Sequence, residues 1–190
     1  MNSREPDHVR SVWDGAAWIQ LPVPFSGGEA VVVPNIAAIL SPTAERRQVL
    51  LQRRDKPGEA VRGLLELPGG RWRAGESALD ALTREVEEET GLVLVDDMTS
   101  SRRYENNAKR PFIISHPVAV STGVEGAYPA LHIAYLATAT GTLRGEPGES
   151  SDPRWYPLEE IQSMLDEAPS GFTGVAYALL NTVLPLLRTS

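Results

Sequence analysis

Residues 70–92 read GRWRAGESALDALTREVEEETGL, and the fold turns on that stretch. Ser77 followed three residues later by Asp80 has capping-box spacing, which predicts a helix beginning there. Ala78, Leu79, Leu82 and Val86 recur at helical intervals and form its core-facing stripe. The helix is expected to run to Thr90, with Gly91 placed where a left-handed glycine would end it. On a helical wheel Glu85, Glu88 and Glu89 fall within an arc of about 100° that overlaps the apolar stripe, whereas Glu87 points away. Like charges three and four residues apart oppose a helix by about 0.2–0.5 kcal/mol a pair. A partly buried carboxylate also needs a counter-charge. Arg84 reaches Glu88 one turn on and supplies one positive charge for three negative ones. A divalent cation would supply the remainder, and oxygen donors without His or Cys suit Mg²⁺ or Mn²⁺. The same run also reads as a solvated acidic face, and on the helix alone both readings stay open.

Outward from the helix, the chain of 190 residues has the length of one domain. Apolar residues make up 42% and charged residues 23%, which excludes a collagen-like, disulfide-scaffold or wholly disordered chain. There is no cysteine, so thiol nucleophiles, zinc–thiolate centres and iron–sulfur clusters are excluded. With 18 basic against 25 acidic residues and a net charge of −7, the chain is a poor candidate for binding a nucleic-acid backbone. A small anionic substrate remains compatible if a metal ion neutralises the site. The N-terminal MNSREPDHVR lacks the apolar core of a secretory signal. The apolar stretch 175–187 is interrupted by Tyr177, Asn181, Thr182 and Pro185 and falls short of the ~20 residues of a membrane span. A soluble, cytoplasmic protein is expected.

Residues 8–23 alternate weakly and end at a turn-rich segment, 24–28, so residues 1–28 are expected to form a small β extension ahead of a domain over 29–190. Strands are expected at 30–40, 48–53, 64–67, 92–95, 113–120 and 131–138. The segment Pro68-Gly69-Gly70 reads as a turn and 145–152 as a polar loop. Helices are expected at 158–165 and 174–187, the second bent or interrupted at Pro185. This irregular alternation suggests an α/β fold, a mixed sheet with helices on its faces.

At every fixed position the quoted stretch resembles the Nudix box, G-x5-E-x7-R-E-U-x-E-E-x-G-U with U aliphatic. The matching residues are Gly70, Glu76, Arg84, Glu85, Val86, Glu88, Glu89, Gly91 and Leu92. The preceding strand, the Pro-Gly-Gly turn and the later Trp155-Tyr156-Pro157-Leu158-Glu159-Glu160 also resemble that family. The resemblance implies an α/β/α sandwich that uses Mg²⁺ or Mn²⁺ to direct water onto the phosphorus of a diphosphate linked to another moiety. Carried over by position, it implies Glu85, Glu88 and Glu89 as metal ligands, joined by the Gly69 carbonyl. It implies Arg84 as the residue that orients them and Glu76 as its partner. Gly70, Gly75 and Gly91 would shape the loop–helix–loop, a role that ordinary turns and caps explain equally well. The general base varies in position across the family. Glu149, six residues before Trp155, is the choice here as base or additional ligand, with Glu146 and Asp152 as rivals.

The box does not name the leaving group. A short N-terminal β extension, often used for dimer formation, and Glu66 in Glu66-Leu67-Pro68 resemble the ADP-ribose and nucleotide-sugar hydrolases, so such a substrate and a homodimer are the favoured expectation. Pro111 lies too far downstream to match the proline of that class. The isopentenyl-diphosphate isomerase branch needs a cysteine and is excluded. A nucleoside triphosphate pyrophosphohydrolase and a non-catalytic nucleotide sensor are the alternatives. Trp18, Trp72 and Tyr104 could stack on a base, though packing would also explain them. Arg102, Arg103, Lys109 and Arg110 could meet phosphates or lie in solvent. His116 and His132 are expected to be structural, and Val175, Leu179, Val183 and Leu187 to form core or a subunit interface.

Overall fold

The structure, a computed structural model, describes residues 9–13, 18–22, 33–73, 75–96, 102–105, 112–123 and 130–188. The expected turn at 24–28 and the first residues of the expected strand 30–40 lie outside them. The expected N-terminal strands are present: β1 (Val9–Trp13) pairs antiparallel with β2 (Trp18–Pro22).

Two sheets carry the fold. In the first, β3 (Val33–Ser41) lies between β6 (Gly69–Arg71) and β11 (Ala130–Gly141), and β10 (Ala119–Gly123) and β7 (Leu92–Asp96) both pair with β11. The β3–β11 pairing is parallel and the others are antiparallel, so the sheet is mixed. In the second, β4 (Gln48–Arg54) lies between β5 (Leu65–Glu66) and β12 (Ser150–Pro157). A further hairpin joins β8 (Arg102–Tyr104) to β9 (Phe112–Ile114). Helices α1 (Ala78–Thr90), α2 (Leu158–Glu167) and α3 (Gly174–Arg188) complete the fold among the described residues.

Strand alternation sorts the core into two halves. Ile36, Ala38 and Leu40 of β3, Leu50 of β4 and Tyr135, Ala137 and Ala139 of β11 pack with Ala78, Ala81, Leu82 and Val86 of α1. Ala37, Ile39, Val49, Leu51 and Ala134 face the other way, onto α2 and α3. Strands buried on both faces read as near-continuous apolar runs, which is why 36–40 and 49–51 carry no polar residue. The architecture is therefore an α/β/α sandwich. Among the described residues no helix is long and apolar enough to cross a membrane.

Several elements differ from expectation. The Gly69-Gly70 turn is strand β6, its Gly69 opposite Ala37. Gly69 has φ +150°, and a Cβ there would stand 2.1 Å from the Ile36 carbonyl oxygen, so only glycine lets β6 approach β3. The expected strand 113–120 is two separate strands, β9 and β10, which pair with different partners. His116 falls in the exposed loop between them. The second half of the expected loop 145–152 begins β12, whose ladder to β4 is interrupted between Ser151 and Arg154, with Asp152 at φ +50°. Pro185 does not interrupt α3. It sits near the helix end, where burial of Val183, Leu184 and Leu187 holds the last turn in place. Leu179, Val183 and Leu187 of the expected apolar stripe are buried within this chain, which assigns that stripe to the core.

Candidate active site

The α1 helix starts and stops as its sequence dictates. The Ser77 Oγ accepts from the Asp80 N–H (3.1 Å), and Asp80 Oδ2 accepts from the Ser77 N–H (2.9 Å), completing a capping box. Gly91 ends the helix at φ +70°, and the Gly75 turn before it has φ +88°. The buried arc is shifted from the predicted one: Ala81 is buried where Leu79 was expected, and Glu85 and Glu89 are 8% and 4% exposed. The acidic run is therefore not a solvated face. Glu87 and Glu88 are exposed, while Glu85 and Glu89 are turned into the protein.

One arginine organises the near end of this face. Arg84 donates through Nε and Nη2 to the two Glu76 carboxylate oxygens (2.6 and 3.1 Å). Its Nη1 donates to Glu85 (2.5 Å) and Glu88 (3.2 Å), and Nη2 also donates to the Arg71 carbonyl (3.0 Å). Glu76 further accepts from the Arg73 N–H (3.0 Å), and the Trp72 indole donates to the Glu76 carbonyl (3.0 Å). These bonds hold the Glu76 carboxyl below the usual range, the Arg84 hydrogen bond above all. Burial pushes Glu85 up, against the pull of Arg84.

Glu89 is held differently. Its Oε2 accepts from the Gln52 side-chain amide (2.7 Å) and from the Gly69 N–H (2.9 Å). Burial pushes it to about 8. Glu66, on β5, is pushed by burial to about 7, although Arg54 pulls it down.

These groups border a cavity of about 730 Å³. Among the described residues seven carboxylates line it, Glu59, Glu66, Glu85, Glu88, Glu89, Glu146 and Glu149, against four cations, Arg54, Lys56, Arg71 and Arg73. The β4–β12 ladder sets Ser150 opposite Arg54 and so places Glu149 beside Lys56, whose Nζ donates to Glu149 Oε1 (2.7 Å). The Ser150 hydroxyl donates to the Glu89 carbonyl (2.9 Å), fastening this loop to α1. Among the described residues no three His, Asp or Glu side chains are drawn together tightly enough to hold an ion as they stand. Arg84 engages Glu85 and Glu88, while Gln52 and Gly69 engage Glu89 on its other side. The donor set still fits a hard cation. It is all oxygen, carboxylates outnumber cations along the lining, and Gly70 leaves space beside Glu85 that a Cβ would take at 2.5 Å from the carboxylate.

Of the residues expected at the site, Gly69, Glu85, Glu88, Glu89, Glu146 and Glu149 line this cavity. Arg84 and Glu76 stand behind it, joined to each other. Asp152 does not line it; its carboxylate pairs instead with Arg154 (3.4 Å) and Arg53 (3.8 Å). Tyr104, Arg103 and Trp72 are not in its lining either, and Arg103 pairs with Glu105. Lys109 and Arg110, and the side chains of Trp18 and Arg102, lie outside the described residues. His132, expected to be structural, lines the cavity, with Asn35 at the same level on the neighbouring strand. Sequence reasoning missed Asn35, Arg54, Lys56, Glu59, Arg71 and Arg73, which only strand pairing brings together. It also missed Gln52, for which one signal existed, a polar residue directly after the apolar run 49–51.

The NUDIX domain family matches the chain over residues 33–174. No curated protein matches it. Among solved structures, the chain is similar to the NUDIX domain of Shewanella oneidensis NrtR complexed with ADP ribose, at 16% identity and TM-score 0.59, covering 87% of this chain and 94% of that one. It is similar to the MutT protein of Methanosarcina mazei Go1 at 18% identity and TM-score 0.58, covering 85% and 96%. It is also similar to the MutT NUDIX hydrolase of Burkholderia pseudomallei at 22% identity and TM-score 0.57, covering 80% and 98%. At these identities the likeness is one of fold.

Proposed function

Because the chain belongs to the NUDIX domain family of hydrolases, we propose that it hydrolyses a nucleoside diphosphate linked to another moiety, of the ADP-ribose or nucleotide-sugar type, with Mg²⁺ or Mn²⁺. The observation that carries this reading is the α1 face, where Glu85, Glu88 and Glu89 border a cavity whose lining holds more carboxylates than cations. The ADP ribose bound to the similar NrtR domain supports a nucleotide derivative as ligand.

Glu85, Glu88 and Glu89 would hold the cation, with the Gly69 carbonyl and Glu149 as further donors. Bound there, it would screen the diphosphate, polarise the phosphoryl oxygens and acidify an attacking water. The chain's own residues then position and stabilise. Arg84, locked by Glu76, would release its hydrogen bonds to Glu85 and Glu88 as those carboxylates turn to the cation. Arg54, Lys56, Arg71 and Arg73 would face the diphosphate oxygens. Glu149, steadied by Lys56, would take the proton from water, Glu146 being the nearer rival now that Asp152 lies outside the cavity. Residues 1–28 are assigned as an extension to a domain over 29–190, with β1 and β2 available to pair two copies.

The test is hydrolysis of ADP-ribose, nucleotide sugars, dinucleotides and nucleoside triphosphates with Mg²⁺ or Mn²⁺, beside Glu88→Gln. We expect metal-dependent turnover of the first two classes, reduced by orders of magnitude in the variant. Turnover of triphosphates alone would move the assignment to that class. Ligand-induced thermal stabilisation without any turnover would make the domain a sensor.

A further inference from the structure

We propose that Gln52 is a positioning residue that decides which carboxylate oxygen Glu89 offers to a cation, an inference that rests on the metal reading above. Gln52 stands on β4 directly after Val49, Leu50 and Leu51 and is fully buried, with 0% exposure. Burying an amide is costly unless its polar atoms are used. Its Nε2 is used, donating at 2.7 Å to Glu89 Oε2, the same oxygen that the Gly69 N–H reaches at 2.9 Å. Two donors from two different strands therefore converge on Oε2. Glu89 is left to present Oε1 to the cavity that it lines.

The orientation of the amide follows from chemistry. Turned over, its oxygen would face Glu89 Oε2, an oxygen already accepting from the Gly69 N–H, and two acceptors would meet. In the orientation observed, neither Gln52 Oε1 nor Oε1 of Glu66, which sits opposite Gln52 across the β4–β5 ladder, has a hydrogen-bond donor among the described residues, Arg54 Nη1 standing 3.9 Å from the latter. The amide thus stands as a neutral wedge between the buried Glu89 and the half-buried Glu66, at the expense of one of its own hydrogen bonds. A residue serving only to fill the core between β4 and α1 would do better as leucine or methionine. The geometry assigns the amide to holding Glu89.

The experiment is Mn²⁺ binding to the whole chain without nucleotide, read by electron paramagnetic resonance of the free ion, for wild type and Gln52→Met. Partners behind a ligand typically set 10–100-fold in metal affinity, so the dissociation constant should rise by about that factor in the variant. At saturating metal the substrate KM should stay at the wild-type value, and the melting temperature in EDTA should change little. Wild-type binding together with an affinity in Gln52→Met within about threefold would overturn the inference alone. Absence of Mn²⁺ binding by wild type would overturn the metal reading as well. A measurement on the unmodified chain covers the case in which the variant does not fold. The Gln52 side-chain amide resonances of ¹⁵N-labelled protein should shift saturably with Mg²⁺, and resonances that stay still throughout the titration would overturn the inference equally.

Discussion

Replacing Arg84 by methionine removes the clamp while keeping the aliphatic stem. The guanidinium makes two bonds to Glu76, one each to Glu85 and Glu88, and one to the Arg71 carbonyl. Its side chain is 17% exposed, and those of Glu76 and Glu85 are 19% and 10% exposed. Solvent therefore screens these pairs little. Hydrogen bonds to charged groups contribute about 1.5–3 kcal/mol each, and breaking a buried pair costs about 3–5 kcal/mol because one charge is stranded. Glu88 is more exposed and adds little. A net loss of about 3–4 kcal/mol follows, close to 10 °C in melting temperature for a chain of this size at roughly 2–4 °C per kcal/mol. The pH dependence is specific. Glu76 is held below its ordinary value by Arg84, so its contribution is present at neutral pH and lost on acidification through its folded-state value. Glu85 is raised by burial and would rise further without Arg84, so the penalty it imposes in the variant also fades as pH falls. Between pH 7.5 and 5 the Glu85 effect alone operates, because Glu76 protonates only below its ordinary 4.5, and it narrows the gap between wild type and variant. Urea unfolding in EDTA at pH 7.5 and 5, with Arg84→Met, Glu76→Gln and the double variant, should give a coupling of about 2 kcal/mol at the higher pH. A gap below 1 kcal/mol, or one that widens on acidification, would refute the clamp.

Further outcomes are expected at the site. Gly70→Ala sets a Cβ 2.5 Å from the Glu85 carboxylate, a side-chain end that can swing away, so Mn²⁺ affinity and turnover should drop at least tenfold while the melting temperature moves only a few degrees. Gly69→Ala meets the rigid Ile36 carbonyl at 2.1 Å with φ +150°, so it should abolish soluble folded protein, as gel filtration and circular dichroism would show. Glu89 and Glu66, raised to about 8 and about 7 from an ordinary 4.5, favour folding when protonated, and that stability is lost as pH rises through those values. In EDTA the melting temperature should therefore fall between about pH 4.5 and 8, and saturating Mg²⁺ should flatten the curve; a rise over that interval in EDTA would contradict the assignment. Glu149→Gln should lower kcat by at least tenfold, whereas Asp152→Asn, outside the cavity, should leave it within a factor of two in the same steady-state assay.

What could be read directly from the sequence was local. The capping box at Ser77 and Asp80, the stop at Gly91 and the spacing of Glu85, Glu88 and Glu89 depend on neighbours within a few residues, and the structure bears them out. The apolar runs of β3 and β4 were legible as strands for the same reason, and the structure shows that both of their faces are buried. Elements defined by their partners were not legible. The segment 150–157 carries two prolines, an aspartate and two serines, yet it is a strand because β4 offers it a ladder. Gly69 and Gly70 read as a turn, yet they form β6 because two missing side chains let it lie against β3 and Glu85. The same division holds at the site. The glutamates of α1 announce themselves by helical period, but their surroundings come from β3, β4, β5, β6, β11 and the loop before β12. Sequence alone could place Glu149 ahead of Asp152 only as a choice. The interrupted β4–β12 ladder sets only which of the two borders the cavity, turning Glu149 to Lys56 and Asp152 to Arg53 and Arg154. Helical period and capping are short-range and recorded in consecutive residues. Register and strand partnership are settled by burial across the whole chain, so the groups behind the glutamates are set only once the sheets have closed.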